Sequence, residues 1–247
     1  VLAITLLTTC AASAHAAGVN LSWEDCGSFW TEGRTFACDT NVGTHVLVGS
    51  FVAPAGLEAV SGNLAIIDVF STCNNIFPHW WNMAFLPLNP GGCRAPSSLL
   101  SNFDFTGGPG NCHDYWQGGA IGGISMDPPV GSHTEIRLQN ALPAGDPRIV
   151  PIAEGTEVYA FKVIINNART VGLGACTGCQ DGACLLLRSM ALFVPGGRVT
   201  LASPASRAHV TWQSATVGTS PFGPVCFGDC PTPARAPTWG QIKSLYR

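Results

Sequence analysis

Two short aromatic runs carry the side chains best suited to ligand chemistry. His79-Trp80-Trp81 and His113-Asp114-Tyr115-Trp116 set flat rings beside polar groups. Such rings suit sugars, because the C–H faces of a pyranose stack on an aromatic surface while a neighbouring carboxylate or amide orders the hydroxyls. Trp80, Trp81, Tyr115 and Trp116 are therefore the expected platform, with Asp114 as its polar partner and Asn82 and Gln117 adjoining. The opposing expectation is that neighbouring Trp residues fill a core, since Trp is highly buried on average. Successive residues of a strand face opposite sides, so strand alternation would leave one of Trp80 and Trp81 outside that core.

The second chemistry-bearing set is sulfur. Eleven cysteines occur in 247 residues. Cys10 falls in a small-residue tract after the apolar run Val1–Leu7, the pattern of a leader cut after Ala16. Ten remain: Cys26, Cys38, Cys73, Cys93, Cys112, Cys176, Cys179, Cys184, Cys226 and Cys230. An even set in an exported chain reads as a disulfide framework. Spacing favours the short loops Cys26–Cys38 and Cys93–Cys112, each worth about 3 kcal/mol by chain entropy. The clusters at 176/179/184 and 226/230 must then share partners with Cys73, so at least one bridge is long-range. Zinc held by Cys176, Cys179, Cys184, Cys226 and Cys230 is the alternative that an oxidising compartment disfavours.

Catalytic signatures are missing. The chain has no G-x-S-x-G elbow, no H-E-x-x-H and no phosphate-cradling glycine loop that opens a helix. Neither a metal nor a cofactor is expected. Carboxylates are few, and nothing in their spacing shows a pair meeting across a cleft, as glycoside hydrolysis requires. One enzyme alternative is specific. Cleavage after Ala14 would expose His15 at the N-terminus, where its amine and ring could hold copper with His79, His113 or His133, as in secreted polysaccharide monooxygenases.

Turn-rich strands must position these groups. Charged residues make up 11% and hydrophobic ones 46%, with 29 Gly and 18 Pro. The net charge of −3 leaves no electrostatic footprint for nucleic acid or anionic lipid. Alternation predicts strands over 45–53, 63–71, 97–105, 134–141, 156–166, 185–193, 198–202 and 208–213. In the clearest, Thr156–Asn166, Tyr159, Phe161, Val163 and Ile165 are expected on one face. Turn signals such as Asn89-Pro90-Gly91-Gly92 and Pro195-Gly196-Gly197 separate the strands. The spacing Thr238-Trp239-Gly240-Gln241 predicts one short C-terminal helical turn. The fold class is all-β: an antiparallel β-sandwich with Greek-key or jelly-roll connections, disulfide-stabilised, forming a single domain over 17–247 after a 1–16 signal peptide. No apolar run is long enough for a transmembrane segment.

The segments VNLSWEDCG, FDFTGGPGNCHDYW, GTEVYAFKVIINNARTVGLGACTGC and TWGQIKSLYR resemble a group of uncharacterised exported bacterial proteins. That resemblance spans about Gly18 to Arg247. It implies secretion and one β-rich domain, and transfers no catalytic residue. The strand pattern is also loosely similar to cohesin-like and carbohydrate-binding-module sandwiches. Together these readings predict a secreted or cell-surface binding or structural protein whose partner is a polysaccharide or cell-surface glycan. The alternatives are a polysaccharide-active enzyme (hydrolase or copper monooxygenase) and a self-associating surface or fibre subunit, since charge-poor edges lack the lysines that discourage strand pairing.

Overall fold

The computed structural model describes residues 16–26, 31–72, 76–106, 112–213, 215–220 and 223–227. The expected helical turn at 238–241, the leader, His15, Cys73 and Cys230 lie outside them. Among the described residues the chain is built from strands. In order they are β1 (Gly18–Trp23), β2 (Gly33–Arg34), β3 (Thr44–Val52), β4 (Gly62–Ser71), β5 (Leu99–Asn102) and β6 (Ile121–Met126). There follow β7 (His133–Ala141), β8 (Glu157–Asn166), β9 (Ala183–Val194), β10 (Gly197–Leu201), β11 (His209–Trp212), β12 (Thr216–Ser220) and β13 (Gly223–Phe227). A single 3-10 turn, Pro96–Ser98, leads into β5.

Two sheets face each other. One has the order β1-β3-β8-β5; the other runs β2-β11-β9-β4-β7-β6, with β10 hairpinned onto β9. The pairing is antiparallel except between β2 and β11. β3 and β4 are consecutive in the chain yet lie in different sheets, the kind of crossover a sandwich requires. The small hairpin β12–β13 stands apart from both sheets and is bonded to β9 through sulfur.

Strand alternation decides the interior. Val19, Leu21 and Trp23 of β1, Leu47 and Phe51 of β3, Ala65, Ile67 and Val69 of β4, and Ile136 and Leu138 of β7 all lose their solvent contact. Full burial of each large apolar side chain contributes about 1.5–3 kcal/mol, which is the main driving force here. β8 departs from simple alternation. Gly49 pairs with Phe161 while Ser50 pairs with Tyr159, so Ala160 is an extra residue at a bulge. The bulge turns Tyr159 to the opposite face from Phe161, Val163 and Ile165, correcting the expectation of one continuous face. Gly49 tolerates no side chain, because a Cβ there would lie 2.0 Å from the Phe161 ring.

The disulfides correct a second expectation. Cys26 bonds Cys112, Cys38 bonds Cys179, Cys93 bonds Cys176 and Cys184 bonds Cys226. Neither Cys26–Cys38 nor Cys93–Cys112 forms. The observed partners are 86, 141, 83 and 42 residues apart; the first three tie loops that follow different strands, and the last joins β9 to β13. Loop closure grows only logarithmically with length, so long bridges cost the native state nothing extra and constrain the unfolded chain more. With Cys176 and Cys179 bonded to Cys93 and Cys38, and Cys184 to Cys226, all four are cystines and the zinc alternative loses these ligands.

Candidate functional site

The aromatic platform expected from sequence is interior. Trp80, Trp81 and Trp116 are fully buried, and Tyr115 is 8% exposed. Trp80 and Trp81 occupy a turn rather than a strand, so alternation does not apply and both rings enter the core. The Trp80 indole N–H donates to Thr170 Oγ1 at 2.8 Å, its ring lies 4.9 Å from that of Trp212, and Trp81 meets both edge-on. The Arg94 guanidinium, wholly buried, stacks 4.0 Å above Trp80 and donates to the carbonyls of Trp80, Asn166 and Ala168. Desolvation lowers Arg94 to about 9, which still leaves it charged at neutral pH. Toward the other end of β8, Trp116 donates to Ala160 O at 3.0 Å, and the Tyr115 hydroxyl donates to Val60 O and Val150 O. Asp114 is half-buried, and its carboxylate accepts the backbone N–H groups of Gln117 and Gly118, both at 3.0 Å. These contacts close a turn, and none of the four rings presents a face to solvent.

The open surface lies elsewhere, on the outward face of β6 and β7. The register pairs Ile121 with Ala141, Gly123 with Gln139 and Ser125 with Arg137, which sets Ile121, Gly123 and Ser125 outward beside exposed Arg137 and Gln139. Glycine at 123 leaves that strand position bare, and a Cβ there would meet nothing within 4 Å. The result is a groove of about 570 Å³ with Leu64 and Ile121 as apolar walls and Ser125, Arg137 and Gln139 as polar ones. Ile121 is 75% exposed. Only the register with β7 shows which of the two neighbouring glycines faces out.

Beside the groove, the same sheet face carries a ladder of charge. Asp68 and Glu135 are direct cross-strand partners, an arrangement that repels unless a cation intervenes. Arg188 supplies it, reaching Asp68 at 3.2 Å and Glu135 at 2.7 Å, while Arg137 joins Glu135 and Asp127. His133 Nε2 meets Asp68 Oδ1 at 3.0 Å, and its ring stacks on Phe70. Donor atoms of Asp68, His133 and Glu135 lie within 4.8 Å of one another, close enough for a metal, but the Arg188 guanidinium bridges the two carboxylates. Of the other histidines proposed for copper, His79 and His113 are exposed.

The first sheet has a different outer face. Asn20, Ser22, Val48 and Ser50 point away from the core yet are buried, because segment 203–207 bonds along β1 and Phe105 folds over β8. Beneath that cover, Glu157 accepts the Ser50 hydroxyl at 2.6 Å and the Asn20 amide at 3.1 Å. Burial and the Glu157 carboxylate push the Tyr159 phenol up. Lys162, 9% exposed, lies with its ammonium 5.0 Å from the centroid of the Phe105 ring. Desolvation lowers its amine, opposed by the charges of Asp104 and Asp114. A lysine within a strand of apolar residues was the sequence signal for this cluster.

No protein-family model matches the chain, and no curated protein does. Among solved structures, a cohesin module from a Clostridium perfringens family 33 glycoside hydrolase is similar at 9% identity. It covers 79% of this chain and 94% of its own, with a TM-score of 0.36. AvmM, described as catalysing macrocyclization in alchivemycin A biosynthesis, is similar at 11% identity and a TM-score of 0.35, covering 87% and 91%. Both scores are too low to carry an argument about this chain's function.

Proposed function

We propose that this chain is an exported, disulfide-locked binding module that holds an extended glycan in the groove over β6 and β7. The observation that carries the reading is the outward Gly123, which opens a trough walled by two aliphatic side chains and edged by Ser125, Arg137 and Gln139. Aliphatic walls receive the C–H faces of a sugar, and amide and guanidinium groups order its hydroxyls. Long-range disulfides support residence in an oxidising compartment. They also support a preformed site, whose ordering cost is met in folding rather than binding.

The test is a mixed glycan array, run with and without Cu²⁺, against the wild type and Gly123→Trp. The new indole has open space to enter, so the variant should keep its melting temperature and lose its glycan. An array with no wild-type signal, or a Gly123→Trp that binds as well as wild type, refutes the proposal.

One observation favours a second reading. No strand among the described residues pairs with the outer edge of β6, and its sequence, Ile-Gly-Gly-Ile-Ser-Met, holds neither charge nor proline to discourage pairing. On that reading the chain self-associates edge to edge. Light scattering would show a concentration-dependent dimer, which Gly123→Lys abolishes.

A further inference from the structure

Lys162 stands out among the ionisable groups outside the groove. It is nine-tenths buried, among the described residues it makes no ion pair or hydrogen bond, and the apolar Phe105 ring covers its ammonium. An amine in that setting is costly unless something else accounts for it. Directly across the sheet, β5 places Asn102 in register with Lys162, on the same outward face. Cross-strand partners hold their Cβ atoms about 4.5–5.5 Å apart, within reach of a four-carbon side chain that curls back.

We propose that Lys162 and Asn102 are joined by a side-chain amide bond, formed by the folded protein itself. The amine nitrogen attacks Asn102 Cγ, the Cγ–Nδ2 bond breaks, and ammonia leaves; one C–N bond replaces another, with no change of oxidation state. The fold supplies what each stage needs. The Asp104 backbone N–H donates to Asn102 Oδ1 at 2.8 Å, so the carbonyl is already polarised and its developing negative charge has a donor in place. The Asp104 carboxylate, whose charge is felt at Lys162, takes a proton from the attacking nitrogen and returns it to Nδ2 as that atom departs. The Thr106 hydroxyl and backbone N–H both bond Oδ1 of this ionised carboxylate, so Oδ2 is the oxygen that takes the proton. Phe105, 3% exposed, lies over the amine, and burial lowers its pKa, which favours the neutral nucleophile.

Asp104 and Asp114 are poorer acceptors of the attack. Both are held as carboxylates, and their oxygens are engaged with Thr106 and with the Gln117 and Gly118 amides. The bond also has a structural rationale. β5 is an edge strand of four residues paired only with β8, and a covalent tie at its last residue pins the strand and the turn that follows.

Mass spectrometry of the full chain, purified from an oxidising compartment, then denatured, reduced and alkylated, decides it. The wild type should be lighter by one ammonia than its alkylated sequence, and digestion should release one branched peptide containing both Asn102 and Lys162. Lys162→Arg, Asn102→Ala and Asp104→Ala should each carry the full sequence mass. The readout is on denatured protein, so the wild-type result stands even where a variant folds poorly. A wild-type chain at full mass with Lys162 open to amine reagents overturns the proposal, as does loss of water instead of ammonia, or ammonia lost without the branched peptide.

Discussion

Replacing Trp116 separates a ring that fills the interior from a ring that serves as a binding surface. The indole is fully buried, meets the Tyr115 ring edge-on at 4.9 Å, and donates to Ala160 O at 3.0 Å. Truncation to Ala removes the buried ring and leaves a cavity that the two sheets cannot close, which costs about 3–5 kcal/mol. The hydrogen bond adds little to that figure. Ala160 O also accepts the Asn140 amide at 3.0 Å, so the carbonyl keeps a donor when the indole is gone. Trp116→Phe should therefore lose less than about 1 kcal/mol for the bond, plus a fraction of the cavity cost. Urea denaturation of the oxidised protein measures both, provided the slope with denaturant is unchanged. The expected order is wild type, then Phe, then Ala. If Trp116→Ala costs less than about 1 kcal/mol, as exposed positions typically do, the ring is on the surface and the burial argument falls.

Further predictions rest on the cystines and on His45. Non-reducing peptide mapping should recover Cys26 with Cys112, Cys38 with Cys179, Cys93 with Cys176 and Cys184 with Cys226. A peptide joining Cys26 to Cys38 contradicts the loop arrangement. His45 packs 4.0 Å from the Phe36 ring, and burial lowers its pKa from 6.5 despite the hydrogen bond it donates to Asn167 Oδ1. The folded state then binds fewer protons than the unfolded one, so this contribution is whole above about pH 6.5 and is lost as pH falls from there toward the lower folded-state value. Thermal melts at pH 7 and pH 5 should show a smaller drop for His45→Phe than for wild type; equal drops would mean the imidazole is solvated.

How much was legible in the sequence differs from one residue to the next. Alternation located β3, β4, β7, β8 and β9 within one or two residues, because a strand half-buried in a sandwich must repeat every two positions whatever its partners are. Low charge, abundant turn residues and many cysteines were enough for an all-β, disulfide-rich chain. β1, β2 and the β12–β13 hairpin were not anticipated. Gly33–Arg34, for instance, is two residues long and is a strand only because β11 lies alongside it.

What tertiary structure alone decided is which residues meet. Local spacing favoured short disulfide loops, but pairing depends on which segments the fold brings together, three bridges joining loops after different strands and one joining β9 to β13. The aromatic pair Trp80-Trp81 escaped strand alternation because the chain turns there, letting both rings reach the core. A single inserted residue at Ala160 moved Tyr159 to the face it shares with Glu157 and Lys162. Outward and inward glycines look identical in a sequence, and only the register with β7 makes Gly123 the floor of a groove and Gly122 a close contact with Gln139. Lys162 likewise reads as one polar residue in an apolar strand until β5, sixty positions earlier in the chain, sets Asn102 opposite it. Sequence periodicity reports how a segment divides its own two faces; the partner across a sheet is chosen by long-range packing, which no local window contains.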